Sequence, residues 1–176
     1  MNNKSEITVV LNVFKRLHNL TKQIDAINSQ TIKPNKILIW KNKSEQDLPP
    51  EILSKALVSD NNYNYGVWAR FAFALNAKTK YICVFDDDTI PGKKWFENCL
   101  NTMENCEGLL GTRGLRFKSR YRYSPNEGFG WDNPSNEIKR VDIVGHSWFF
   151  KREWLSAFWR ELPSIESSHI AGEDIH

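Results

Sequence analysis

Tyr81-Ile82-Cys83-Val84-Phe85-Asp86-Asp87-Asp88-Thr89-Ile90-Pro91-Gly92 is the stretch that decides the fold. Its first five residues are aromatic, β-branched or thiol-bearing and have no helical period, the pattern of a strand buried on both faces. The run ends abruptly in three consecutive carboxylates, and Pro91-Gly92 starts a new element almost at once. Three like charges at the mouth of an apolar strand repel one another, so either their pKa values rise or a cation sits among them. Hard carboxylate oxygens suit Mg²⁺ or Mn²⁺. Side chains alternate along an extended chain, so Asp86 and Asp88 share a face and Asp87 points away. The plainer reading is a solvated acidic turn closing a strand.

Outward from this stretch, strand-like and helix-like segments alternate. Upstream, Ile7 to Phe14 is a near-continuous apolar run, and Leu17, Leu20, Ile24 and Ile27 form one helical stripe that ends near Pro34. Ile37 to Trp40 reads as a second strand, Pro49-Pro50 opens a short helix through Leu57, and Val58 to Asp60 is a brief third strand. Val67, Phe71 and Leu75 mark a helix with Arg70 near its start. Such alternation implies right-handed crossovers and a mainly parallel sheet in an α/β fold. Ligands of such sheets bind outside the carboxyl ends of the strands, where Phe14, Asn42, Asp60 and Asp86 to Asp88 fall.

Downstream, Trp95 to Met103 is an amphipathic helix. Leu109 to Phe117 is strand-like but interrupted by Gly111 and Gly114. Residues 118–137 have no period and read as a long functional loop. Val141 to Val144 is a strand, Gly145-His146-Ser147 breaks it, Trp148 to Phe150 resumes it, and Arg152 to Arg160 reads as a helix.

Composition narrows the function classes. With 176 residues the chain is expected to be one domain. Seven Trp and ten Phe exceed what a core of this size needs and point to stacking on flat ligands. A net charge of +3 is too mild to argue for nucleic acid by itself but suits an anionic substrate. Three cysteines without a Cys-x-x-Cys motif read as free thiols of a reducing compartment. No apolar run reaches membrane-spanning length and no signal peptide is evident, so a cytoplasmic location is expected.

In order, the Val-rich first strand, Gln30-Thr31, Asn64-x-Gly66-x-x-x-Arg70, Asp86-Asp87-Asp88 with Pro91-Gly92, and Gly172-Glu173-Asp174 resemble the GT-A glycosyltransferases, most closely family 2. Asp-Asp-Asp-Thr and Gly145 to Phe150 add a likeness to the exostosin-like transferases. The resemblance covers the whole chain and implies a Rossmann-like GT-A domain. Residues 1–92 would be the nucleotide-binding half and 93–176 the acceptor-side half, truncated at the C-terminus. It implies a nucleotide-diphosphate sugar donor, a saccharide or glycoconjugate acceptor, and Mn²⁺ or Mg²⁺ held by Asp88 with help from Asp86. Asp86 and Asp87 would also approach the ribose, Phe14 and Asn42 would face the base, and Arg70 would brace the phosphates or an aspartate. Asn42 stands where the family often carries an acidic residue; uridine is the expected base. Asp174 is the expected general base, oriented by Glu173, and inversion the expected outcome. On a plainer reading Glu173-Asp174 simply favours a helix N-terminus.

Among the four histidines, His18 reads as a filler. His146, at the strand break, reads as an acceptor contact or a satisfied structural group, and His176 as an added metal ligand or a frayed end. Trp131 with Asp132 suits stacking on and hydrogen bonding to a sugar. Two other functions compete. Arg113, Arg116, Lys118, Arg120 and Arg122 interleaved with Phe117, Tyr121 and Tyr123 form a pattern that binds single-stranded nucleic acid or a saccharide, although it reads more simply as a solvated face, and no nucleic acid is expected. A sugar nucleotidyltransferase would share the sheet and the metal carboxylates, but its Gly-rich phosphate loop is missing, as Asn12-Val13-Phe14-Lys15-Arg16 contains no Gly.

Overall fold

The computed structural model describes residues 5–160. Four parallel strands carry the first half: β1 (Ile7–Val13), β2 (Lys36–Asn42), β3 (Leu57–Asn61) and β4 (Tyr81–Phe85). They are joined by α1 (Leu20–Asn28), α2 (Pro50–Leu53) and α3 (Ala69–Ala74). After β4 come α4 (Trp95–Asn105), β5 (Arg113–Phe117), β6 (Asn126–Phe129), β7 (Ile143–Gly145), β8 (Ser147–Lys151) and α5 (Leu155–Phe158). The larger sheet has the order β3-β2-β1-β4-β8, with β8 antiparallel to β4; the smaller has the order β6-β5-β7. This is the mainly parallel α/β architecture that the alternation of elements predicts.

The unbroken apolar runs have a simple cause, which is that both faces of the large sheet are covered. On one face, Val9 and Leu11 of β1 with Cys83 and Phe85 of β4 pack against Leu20, Ile24 and Ile27 of α1 and Phe96, Cys99 and Met103 of α4. On the other, Val10, Ile82, Val84, Trp148 and Phe150 pack against Phe71 and Ala74 of α3 and Leu155 of α5. Because β1 to β4 are parallel, their carboxyl ends open on one edge, and Asn42 and Asp86 to Asp88 stand there together.

Several segments differ from the sequence reading: Leu57, read into the helix after Pro50, begins β3, and β7 covers Ile143–Gly145 rather than Val141 to Val144. The strand expected over 109–117 begins at Arg113; Leu110 makes only an isolated bridge to Phe149. The aperiodic 118–137 region contains β6, whose Asn-Glu-Gly-Phe has no strand alternation and is held by its pairing with β5. The helix expected over 152–160 is a 3-10 turn, Arg152–Trp154, followed by the single-turn α5.

Candidate active site

Strand β4 ends as a rung of the sheet and turns at once. The Asp86 amide donates to the His146 carbonyl at 3.0 Å, and Thr89 N–H donates back to the Asp86 carbonyl at 3.2 Å. Three buried or partly buried amides then fix the turn. Gln23, on the inner stripe of α1, donates to the carbonyls of Asp86 (2.6 Å) and Thr89 (2.9 Å). Asn19 donates to the Asp87 carbonyl at 3.0 Å. Gln30 donates to the Gly92 carbonyl at 2.7 Å and accepts the Phe96 amide at 3.2 Å, tying the turn to the start of α4. Sequence reading placed Gln30 only in a motif and missed Gln23 and Asn19. Gln23 is the legible one, since a Gln on an otherwise apolar stripe needs buried partners.

The three carboxylates are compensated from two sides. The buried Arg70 donates to Asp86 Oδ1 and lies over the Trp148 ring, 4.7 Å from its centroid. Arg16 reaches Asp87 Oδ1 at 2.7 Å and Asp88 Oδ2 at 3.3 Å. Its guanidinium is held above its ordinary pKa, first by the hydrogen bond to Asp87 and then by attraction to Asp87 and Asp88. This corrects part of the sequence argument: two arginines already balance much of the repulsion that seemed to require a metal. Arg16 was not foreseen because its nearer partner, Asp87, lies 71 residues away.

What remains is more specific than charge. With Asp86 Oδ1 on Arg70 and Asp88 Oδ2 on Arg16, the other two oxygens turn toward one imidazole nitrogen. His146 Nδ1 lies 3.8 Å from Asp86 Oδ2 and 3.7 Å from Asp88 Oδ1. Both separations are too long for a hydrogen bond. They suit neighbouring ligands of one ion, which at bonds of about 2.1 Å are at most about 4.2 Å apart. The buried Nδ1 has no hydrogen-bond partner among the described residues, and one ligand atom from each of Asp86, Asp88 and His146 falls within 4.8 Å of the others. The donor set therefore fits a divalent cation. Asp87 is not part of this group; its Oδ1 is taken by Arg16.

Beside this trio opens a cleft of about 340 Å³ lined by Asn12, Phe14, Lys15, Arg16, Arg70 and the three aspartates, among others. Phe14 is half-buried in its wall. Asn42 is buried and engaged: its amide donates to Asn64 Oδ1 (2.8 Å) and the Gly66 carbonyl (3.3 Å), and its oxygen accepts the Tyr65 amide at 2.9 Å. It pins the 64–66 turn, which leads into α3 and so to Arg70. His146, expected to touch an acceptor or to be satisfied structurally, stands with the aspartates. Trp131 packs on its ring at 4.2 Å between centroids, and Asp132 is exposed on the same turn. A larger hollow of about 680 Å³, lined in part by Trp131, lies between α4 and the 129–141 segment and has no carboxylate trio. Glu173, Asp174 and His176 lie outside the described residues.

Of the basic, aromatic run, Arg116 is engaged with the Arg140 carbonyl and Glu127, Phe117 pairs with Tyr123, and Arg113 lies over Trp131. Half of that run is thus engaged within the chain, while Lys118, Arg120, Tyr121 and Arg122 are exposed.

A family model, glycosyl transferase family 2, matches residues 8–162. The chain belongs to this family. Among solved structures it is similar to TarS of S. aureus, at 13% identity and a TM-score of 0.65 over 97% of this chain and 32% of that one. TarS 1-349 in complex with UDP-GlcNAc matches at 13% identity and a TM-score of 0.63, over 97% of this chain and 51% of that one. The mannosyltransferase PcManGT of Pyrobaculum calidifontis, in complex with GDP-Man and Mn²⁺, matches at 15% identity and a TM-score of 0.61, over 89% and 47%. These likenesses establish the GT-A fold, and the chain spans about a third to a half of the length of these structures. No curated protein matches the chain. No helix among the described residues is long and apolar enough to cross a membrane.

Proposed function

We propose that this family 2 domain transfers a sugar from a nucleotide-diphosphate donor to a hydroxyl of a saccharide or glycoconjugate acceptor. The observation that carries the proposal is the convergence of Asp86 Oδ2, Asp88 Oδ1 and the partnerless His146 Nδ1 at the end of β4, on the rim of a cleft that also holds Lys15, Arg16 and Arg70. Solved neighbours carrying UDP-GlcNAc or GDP-Man with Mn²⁺ support a nucleotide-sugar donor. We take uridine as the base and a UDP-sugar as the preferred donor.

Breaking a sugar–phosphate bond builds negative charge on the departing diphosphate. Asp86, Asp88 and His146 would hold Mn²⁺ or Mg²⁺, which when bound supplies compensation for that charge. The nitrogen donor favours Mn²⁺, since imidazole prefers ions later in the transition series. Arg16 and Lys15, on the cleft wall, add fixed positive charge toward the same phosphates. Arg70 holds Asp86 so that its second oxygen stays aimed at the trio. Phe14 offers a ring to the base, Asn42 shapes the adjoining turn, and Asp87 orients Arg16. On the acceptor side, Trp131 borders the larger hollow, where a sugar ring would stack, and Asp132, exposed beside it, would hydrogen bond to that sugar. Asp174, oriented by Glu173, is the proposed base that removes the acceptor proton, a role worth about 10²- to 10⁴-fold in rate, with inversion at the sugar carbon.

Calorimetric titration of a UDP-sugar with and without Mn²⁺ tests the reading. The donor is expected to bind more tightly with the metal, and Asp88→Asn is expected to remove that gain. An Asp88→Asn protein that keeps the full Mn²⁺-dependent gain would overturn the assignment. Proton NMR of the first product tests inversion, since a product anomer matching the donor rules out direct displacement.

A further inference from the structure

Among the described residues no hydrogen bond fixes His146 Nδ1 against the Asp86–Asp88 turn, and a different part of the chain packs on the ring. Trp131 packs against the imidazole with centroids 4.2 Å apart and planes at 52°. The Arg113 guanidinium also lies over the Trp131 ring, 5.1 Å from its centroid. Trp131 stands at the end of the small sheet, where the chain leaves β6 through Gly130 (φ 96°) and takes a positive φ of 30° at Trp131 itself. Gly130 and Asn133 exchange backbone hydrogen bonds at 3.0 and 2.7 Å, which closes the turn. A Cβ at residue 130 would sit 2.3 Å from the Thr112 carbonyl, so the turn is pressed against the start of β5, next to Arg113. Thr112 in turn donates its amide to Ser147 Oγ at 3.1 Å, one residue beyond His146. The turn, the arginine and the histidine are thus held in one frame.

From this we infer that Trp131 and Arg113 are positioning residues for the metal trio: the contacts of Trp131 with His146 and of Arg113 with Trp131 hold the imidazole so that Nδ1 faces Asp86 and Asp88. The inference rests on the proposed metal reading and assigns Trp131 a task beyond touching an acceptor. The physical basis is that a ligand ring free to rotate must be ordered at the moment of binding, whereas a ring already clamped is not. Groups that orient a ligating histidine typically change metal affinity by about 10- to 100-fold when removed. An aromatic ring supplies that clamp through dispersion and edge-to-face attraction, and a guanidinium on the Trp face limits its own swing. Phe in place of Trp131 retains a ring and most of the clamp; Ala retains neither.

The test is Mn²⁺ binding without any nucleotide, followed by the electron paramagnetic resonance signal of free Mn²⁺, in the parent, Trp131→Ala, Trp131→Phe and Arg113→Met proteins. Trp131→Ala is expected to bind at least about tenfold more weakly, Trp131→Phe within a few-fold of the parent, and Arg113→Met in between. A metal-free readout accompanies it: the imidazole C–H protons of His146, shifted by the Trp131 ring current, are expected to move toward ordinary values in Trp131→Ala. Circular dichroism and melting temperature check that each variant is folded, and Trp131 is half-exposed, so a folded Ala variant is expected. A parent protein that binds no Mn²⁺ overturns both this inference and the metal reading. A parent that binds, with Trp131→Ala binding equally well, overturns this inference alone. If Trp131→Ala fails to fold, Trp131→Phe and Arg113→Met decide it. Parent-like His146 shifts and parent-like affinity in Arg113→Met, or Phe performing no better than a His146→Ala control, count against the inference.

Discussion

At the scale of single residues, the site depends on side chains whose partners are backbone carbonyls far away in sequence. Gln23 is 1% exposed and spends both amide hydrogens on the Asp86 and Thr89 carbonyls. Leu in its place fits the volume and the apolar stripe of α1 but leaves two buried acceptors unmet, at about 1–3 kcal/mol each. Gln23→Leu is therefore expected to lower unfolding free energy by about 3 kcal/mol in urea titration and to loosen the acidic turn, weakening Mn²⁺-dependent donor binding. A loss under about 0.5 kcal/mol, the range of ordinary surface substitutions, would mean that the turn holds its shape without α1. The aspartates themselves were legible, because three acids at the end of an apolar run have few uses. Gln23 was legible only as an amide in need of buried partners, and Arg16 was not legible at all, because the ion pairs and the carbonyl contacts come together only when α1 and the loop after β1 meet the turn. Repulsion was also a weaker sign of a metal than it looked, since guanidiniums from α3 and from the loop after β1 supply much of the answer.

At the scale of elements, periodicity recovered β1 to β4 and the helices between them, since each is covered by a layer whose pattern is written locally. It failed at β6, where Glu127 and Gly128 carry no strand preference and pairing with β5 makes the strand. Strand β4 and helix α4 make a further prediction through their thiols. Cys83 and Cys99 are buried in the same layer, and burial pushes both thiols well above their ordinary pKa, while Cys106 is only partly covered. Unfolded, such thiols lose their protons near pH 8.5; folded, these two keep them. Above that pH the unfolded state binds fewer protons than the native one, so stability falls as pH rises, by up to about 1.4 kcal/mol per pH unit for each thiol. Urea titrations from pH 8 to 9.5 are expected to show this decline and the Cys83→Ala/Cys99→Ala protein a shallower one; equal slopes would contradict it. For the same reason iodoacetamide is expected to alkylate Cys106 first and the other two only on unfolding.

At the scale of the whole molecule, two sheets meet at one residue. Strand β7 ends at Gly145, paired with Arg113 in the small sheet, and β8 begins at Ser147, paired with Phe85 in the large one; His146 alone spans the change, at φ 66°. The break was visible in Val-Gly-His-Ser-Trp, but not the fact that it carries the chain between sheets and delivers an imidazole to the aspartates. A left-handed conformation costs a non-glycine residue about 1–2 kcal/mol, and Gly would adopt it freely. Retaining His there is therefore a local cost that function must explain, which makes the trade measurable. His146→Gly recovers backbone strain and loses the contact with Trp131, so its unfolding free energy is expected to stay within about 1 kcal/mol of the parent, while the Mn²⁺-dependent part of donor binding falls away. His146→Val, β-branched at a positive φ, is expected to be the less stable of the two. Paired urea and calorimetric titrations separate these outcomes. A glycine variant that keeps the full metal dependence would make the histidine a structural accident of the crossover, and one that unfolds would make it the joint's keystone rather than the site's ligand.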